Sequence, residues 1–117
     1  MNGKSLGAIE LKPKRKFYDY KAKYSKSAQT QHLMPANLLK KKYEEVLVIA
    51  KKAHDVLECR GVTRSDFKFK DNKFYLLEIN TQPGMTSLSL VPEIAKYSGI
   101  SFINLVKSII EDASVNR

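Results

Sequence analysis

Cysteine is nearly absent from this chain. Cys59 alone leaves no partner for an internal disulfide and fits a reducing cytoplasm. Histidine is almost as scarce: His32 and His54 stand far apart, so no His/Cys spacing of a zinc site exists. No apolar run approaches the roughly 20 residues that a membrane-crossing helix needs. The run "NGKSLGAIELK" behind Met1 lacks the apolar stretch of a secretory signal. Internal repeats and low-complexity tracts are missing too. What remains is 117 residues, 43% hydrophobic and 28% charged. That suits one globular unit with a small core and is short for a multidomain enzyme.

Acidic side chains are in deficit: 12 against 21 basic ones give a net charge of +9. Such an excess suits nucleic acid, an anionic membrane or a phosphate-bearing small molecule. Much of it lies in "KPKRK" at 12–16 and "KKK" at 40–42, and basic runs are usually solvated faces. The lysines form no single periodic stripe and the aromatics match no RNA-recognition signature. Both points argue against a basic nucleic-acid-binding module.

"SLGAIELK" (Ser5 to Lys12) reads as a strand that Pro13 ends, because proline donates nothing to a ladder. From Lys14 to Pro35 no period is sustained, and a connection of that length in a small domain is more often functional than idle. Leu39, Tyr43, Val46, Ala50, Ala53 and Leu57 recur at spacings of three and four, so an amphipathic helix is predicted over 38–58. His54 sits beside that stripe as a boundary residue. Val62 to Lys70 and Phe74 to Asn80 read as two strands of a hairpin. A loop over 81–88 leads to a short helix near 89–97, closed by Gly99 behind its C-cap. Ser101 caps a last helix whose apolar residues are Phe102, Leu105, Val106, Ile109 and Ile110. The predicted fold class is α+β, with helices packed on an antiparallel sheet.

The hairpin carries an odd pattern. Arg64 and Asp66 stand two apart on one strand, Glu78 and Asn80 two apart on the next. Residues two apart share a strand face. With a three-residue turn at Asp71–Lys73, Asp66 opposes Glu78 and Arg64 opposes Asn80, while Phe67 meets Leu77 and Phe69 meets Tyr75 behind them. A two-residue Asp-Asn turn is also chemically reasonable, and it puts Asp66 and Glu78 on opposite faces. The pattern of sides favours the first register, since it gathers the apolar residues; the loop length stays open. Two opposed carboxylates repel unless a cation lies between them. Asp66, Glu78 and the Asn80 side-chain oxygen offer the hard donors that Mg²⁺ takes. The other reading is a solvated hairpin with an Arg64–Asp66 or Lys68–Glu78 pair, and spacing alone leaves both standing.

The runs "CRGVTRSDF" and "FYLLEINTQPGMTSLSLVP" closely resemble the C-terminal motif of D-alanine–D-alanine ligases of the ATP-grasp superfamily. "KFYDYKAKYS" resembles the mobile loop with which those ligases cover phosphates. The resemblance reaches from about Gly7 to the last helix. It implies an ATP-grasp C-terminal subdomain: a mobile phosphate loop at 14–35, a metal-binding hairpin at 62–80 and an oxyanion and substrate loop at 81–90.

By this resemblance, ATP and two Mg²⁺ or Mn²⁺ ions serve an acyl-phosphate formed from the first D-alanine. Asp66 and Glu78 hold one ion, and Glu78 and Asn80 the other. Arg64 and the Gly84 N–H stabilise the oxyanion formed when the second D-alanine attacks. Ser89 and the Leu90 N–H bind that substrate's carboxylate at a helix start, where free N–H groups favour an anion. Lys23 and Tyr24 lie in the loop that closes over the phosphates. A tyrosine at that loop place goes with D-alanine as the acceptor, and a phenylalanine with tolerance of D-lactate. The expected role is peptidoglycan precursor synthesis in the cytoplasm.

The sequence departs from the family at His32, where an aromatic is usual. No counterpart of the family's N-terminal and central domains, with the adenine pocket, is found. Met1 falls where relatives continue a strand. The expectation is the product of a split or truncated ligase gene, or an isolated piece of a ligase: inactive alone, with an N-terminal part to complete it, for which a separate chain is one source, or else an inactive remnant.

Overall fold

The computed structural model describes residues 1–12 and 30–115. The expectations for Lys23, Tyr24 and most of the 14–35 loop lie outside the described residues. Within them the chain runs β1 (Glu10–Lys12), β2 (Gln31–Leu33), α1 (Lys40–Val56), β3 (Arg64–Lys70), β4 (Lys73–Asn80), α2 (Leu90–Tyr97) and α3 (Phe102–Asp112). β1 pairs with β2 and β3 with β4, both antiparallel, in two separate ladders rather than one sheet. α1 packs on the β3–β4 hairpin and α2 on α3. The architecture is α+β. No helix of the described residues is long and apolar enough to cross a membrane.

The strand expected over Ser5–Lys12 shrinks to Glu10–Lys12 because other groups take the backbone before it. The Ala8 N–H donates to the Tyr43 hydroxyl at 3.0 Å, and the Ala8 carbonyl accepts from the Ala36 N–H at 2.9 Å. Continuing the β1–β2 register would set Ala8 against Pro35, which has no N–H to offer. β2 itself was not expected, since its three residues are too few to display a period. Gly7 sits where an added Cβ would come within 2.9 Å of the Met34 side chain and 3.2 Å of the Tyr43 hydroxyl. Its lack of a side chain lets the chain cross α1 this closely.

α1 occupies most of the predicted 38–58 span. It ends in a Schellman pattern: Cys59 N–H to His54 C=O and Glu58 N–H to Asp55 C=O, both 3.0 Å, with Glu58 left-handed at φ 53°. α2 ends the same way, with Gly99 in that place at φ 85°. Ser101 caps α3, its hydroxyl accepting from the Asn104 N–H at 3.2 Å. The core is small. Val91, Ala95 and Leu105 are buried, and Met1, Leu6, Val62, Met85, Ile100 and Ile109 pack around them.

The hairpin combines the two registers that the sequence left open. Asp71 and Asn72 both have positive φ, 52° and 63°, so the turn has two residues and not three. Lys70 therefore pairs with Lys73, Phe69 with Phe74 and Phe67 with Leu76, which corrects the expected Phe67–Leu77 and Phe69–Tyr75 pairs. A bulge then leaves Leu77 without a partner. Beyond it Asp66 opposes Glu78, Ser65 opposes Ile79 and Arg64 opposes Asn80. One extra residue undoes the one-residue shift imposed by the short turn. The Phe74 ring packs on Phe69 at 4.5 Å and edge-on to Phe67 at 6.0 Å.

Candidate functional site

Alternation and the bulge bring Arg64, Asp66, Glu78 and Asn80 to one face of the hairpin. Arg64 grips Asp66 with both prongs: Nε to Oδ1 at 2.7 Å and Nη2 to Oδ2 at 2.8 Å. The same Nη2 lies 4.0 Å from Glu78 Oε1. Exposure grades across the set, with the Arg64 side chain 11% exposed, Asp66 32% and Glu78 60%. One guanidinium therefore serves two opposed carboxylates, and the Arg64–Asp66 pair offered as the simpler reading is present. Arg64 and Asp66 also line a cleft of about 750 Å³, with residues 4–11 and 62–69 among its lining.

Asn80 begins the loop. Its Oδ1 accepts from the Gln82 N–H at 2.9 Å, an Asx turn that starts the chain away from β4. Further on, Ser89 holds the N-cap position of α2, but its hydroxyl makes no cap bond. It accepts instead from the Thr86 N–H at 2.9 Å and meets the Thr86 hydroxyl at 2.7 Å. The Ser89 N–H in turn donates to the Thr86 carbonyl at 3.1 Å. Gly84 closes this knot: a Cβ there would lie 2.9 Å from Ser89 Oγ. Gly84 and Ser89 are thus brought together, with the Leu90 N–H in the first turn of α2, whose leading N–H groups have no intrahelical acceptor.

Two contributors were not legible beforehand. Thr86 pins Ser89, and the only sign was its place three residues earlier. His32 donates from Nδ1 to Glu93 Oε1 at 2.7 Å, tying β2 to the first turn of α2 across 61 residues of sequence. His54 contacts the Thr63 hydroxyl at 2.8 Å, in keeping with a boundary role.

The donor set suits a hard cation. Asp66, Glu78 and the Asn80 Oδ1 are hard oxygen donors, and the two acids oppose each other, which favours positive charge between them. Among the described residues no three His, Cys, Asp or Glu side chains gather into a cage. Such a set fits an ion whose coordination phosphate and water complete, as is usual for Mg²⁺.

Comparisons with known proteins give the family of the chain. The family described as D-ala D-ala ligase C-terminus matches residues 2–111. The chain is 66% identical, over its whole length, to 38% of a D-alanine–D-alanine ligase of Pelagibacter ubique. It is 50% identical over 97% of its length to 36% of the Rickettsia felis ligase. A D-alanine–D-alanine ligase of Bacillus anthracis, solved in complex with ATP, superposes with TM-score 0.76 at 30% identity, covering 94% of this chain and 34% of that one. The fold is therefore that of the C-terminal part of an ATP-grasp ligase. The chain belongs to the D-ala D-ala ligase C-terminus family. It spans between 36% and 40% of the length of these curated relatives.

Proposed function

We propose that this chain supplies the C-terminal catalytic portion of an ATP-dependent D-alanine–D-alanine ligase that serves peptidoglycan precursor synthesis in the cytoplasm. The observation that carries the reading is the four-residue face of the hairpin, where Asp66 opposes Glu78 and Arg64 opposes Asn80. In this reading Asp66 and Glu78 hold one Mg²⁺ or Mn²⁺ and Glu78 and Asn80 a second. Held there, such ions would supply positive charge to the phosphoryl group transferred from ATP. Arg64 and the Gly84 N–H donate to the oxyanion that develops when the second D-alanine attacks the activated first. The Ser89 hydroxyl, already oriented by Thr86, and the Leu90 N–H receive the acceptor's carboxylate. Lys23 adds charge near the phosphates and Tyr24 closes over them. The reading includes D-alanine rather than D-lactate as acceptor, with Tyr24→Phe eroding that preference.

The remaining substrate contacts come from the regions that the relatives carry outside the matched span. The test combines the 117-residue chain with a polypeptide covering those regions of the Pelagibacter ubique relative, ATP, Mg²⁺ and D-alanine. Phosphate release and D-alanyl-D-alanine are expected from the mixture and not from the 117 residues alone, and Glu78→Gln should abolish both. A mixture that associates yet forms no dipeptide would sink the reading.

A further inference from the structure

The pairing of Arg64 with Asp66 goes further than a surface ion pair. Arg64 is the most buried of the three charged side chains on the hairpin face, with 11% of its side chain exposed against 32% for Asp66 and 60% for Glu78. Both Asp66 oxygens accept from it, at 2.7 and 2.8 Å, and its Nη2 stands 4.0 Å from Glu78. A guanidinium fork matches a carboxylate with two parallel bonds and cannot shed its charge. The carboxylate that the proposed function gives to a cation is therefore already engaged, on both oxygens, by a permanent cation of the same chain.

We infer that Arg64 is a built-in rival of the divalent ion for Asp66. The inference rests on the metal reading above. An ion approaching Asp66 meets oxygens that already accept hydrogen bonds from Arg64, and it meets the repulsion of the guanidinium itself. Arg64 keeps the opposed Asp66 and Glu78 stable together, at the expense of cation affinity. Once an ion takes over the compensation of both acids, Arg64 loosens from Asp66. Its N–H donors then turn to the reacting acyl group, so that cation loading positions the arginine for its catalytic part.

Binding of Mn²⁺ to the 117-residue chain, followed by the electron paramagnetic resonance of the free ion, tests this without any turnover. Arg64→Gln should bind Mn²⁺ about tenfold more tightly than the unmutated chain. Arg64→Lys, which keeps the charge and loses the fork, should fall between. Glu78→Gln added to Arg64→Gln should remove the gain, placing it at the hairpin. In the unmutated chain, Mg²⁺ should also shift the Arg64 Nε–H resonance. If Arg64→Gln does not fold, which circular dichroism reads, Arg64→Lys carries the same comparison. Arginine variants that bind no more tightly than the unmutated chain, or a gain that survives Glu78→Gln, would overturn the inference alone, provided Glu78→Gln still weakens binding by the unmutated chain. Absence of Mn²⁺ binding in every variant would overturn it together with the metal reading.

Discussion

Gly84 and Ser89 limit one another. The space for a methyl at position 84 is taken by Ser89 Oγ, 2.9 Å from where the Cβ would lie, and that oxygen is held on its other side by Thr86. Gly84→Ala must push the hydroxyl off Thr86 and shift the backbone that carries the Gly84 N–H. Because the loop is exposed, stability should fall by less than about 1 kcal/mol. Ligation by the assembled enzyme should fall on the order of a hundredfold, since small displacements of positioning groups are costly. Urea unfolding beside dipeptide formation separates the two effects. An alanine variant with full activity would show that this approach has no functional meaning.

The helix ends and the hairpin turn obey separate rules. Glu58 and Gly99 both occupy the left-handed position behind a helix, at φ 53° and 85°. Only glycine adopts that conformation without a Cβ penalty. Glu58→Gly should therefore stabilise and Gly99→Ala destabilise, each by about 1 kcal/mol. A thermal melt of the pair checks the opposite signs, and equal signs would defeat the argument. The serines at 89 and 101 also look alike in sequence yet differ in action. Ser101→Ala should cost about 1 kcal/mol as a lost cap. Ser89→Ala should cost α2 no cap bond, because that hydroxyl faces Thr86. In the turn, replacing Asp71 and Asn72 by Asn-Gly should raise the melting temperature, since glycine accepts the second positive φ more readily.

Among the described residues few side chains are buried. Leu105 and Ala95 are fully enclosed, while Leu39, Val48, Val56 and Ile103 stay largely exposed, at 80%, 67%, 70% and 77%. With so small a core, Leu105→Ala should cost about 2 to 5 kcal/mol. That is comparable with the total stability of a domain, and the variant should show no cooperative unfolding transition. A sharp transition near that of the unmutated chain would mean that other contacts hold the fold. Assembly with the regions that the relatives carry outside the matched span acts at the same level. If those regions bind only the folded chain, melting of the mixture should rise with the concentration of the added polypeptide.

Periodicity and turn chemistry made most elements legible in advance: α1 from its spaced apolar residues, α2 and α3 from Gly99 and Ser101, and the hairpin from two β-rich runs about a polar turn. The types of group at the site were legible too, because alternation alone sets Arg64 beside Asp66 and Glu78 beside Asn80. The facing of Asp66 on Glu78 and of Arg64 on Asn80 matches the expectation, but not by the expected three-residue turn. It depends on a two-residue turn and on the bulge at Leu77, and these cancel; neither leaves a mark in the spacing of either strand. β2 has only three residues and so carries no period, and the strand stops short of Ser5 because Tyr43 and Ala36 claim its backbone from elsewhere in the chain. The bonds of Ser89 to Thr86 and of His32 to Glu93 likewise depend on where the backbone comes to rest. Local pattern fixes what each residue can offer; which partner accepts the offer is settled by contacts between segments far apart in sequence.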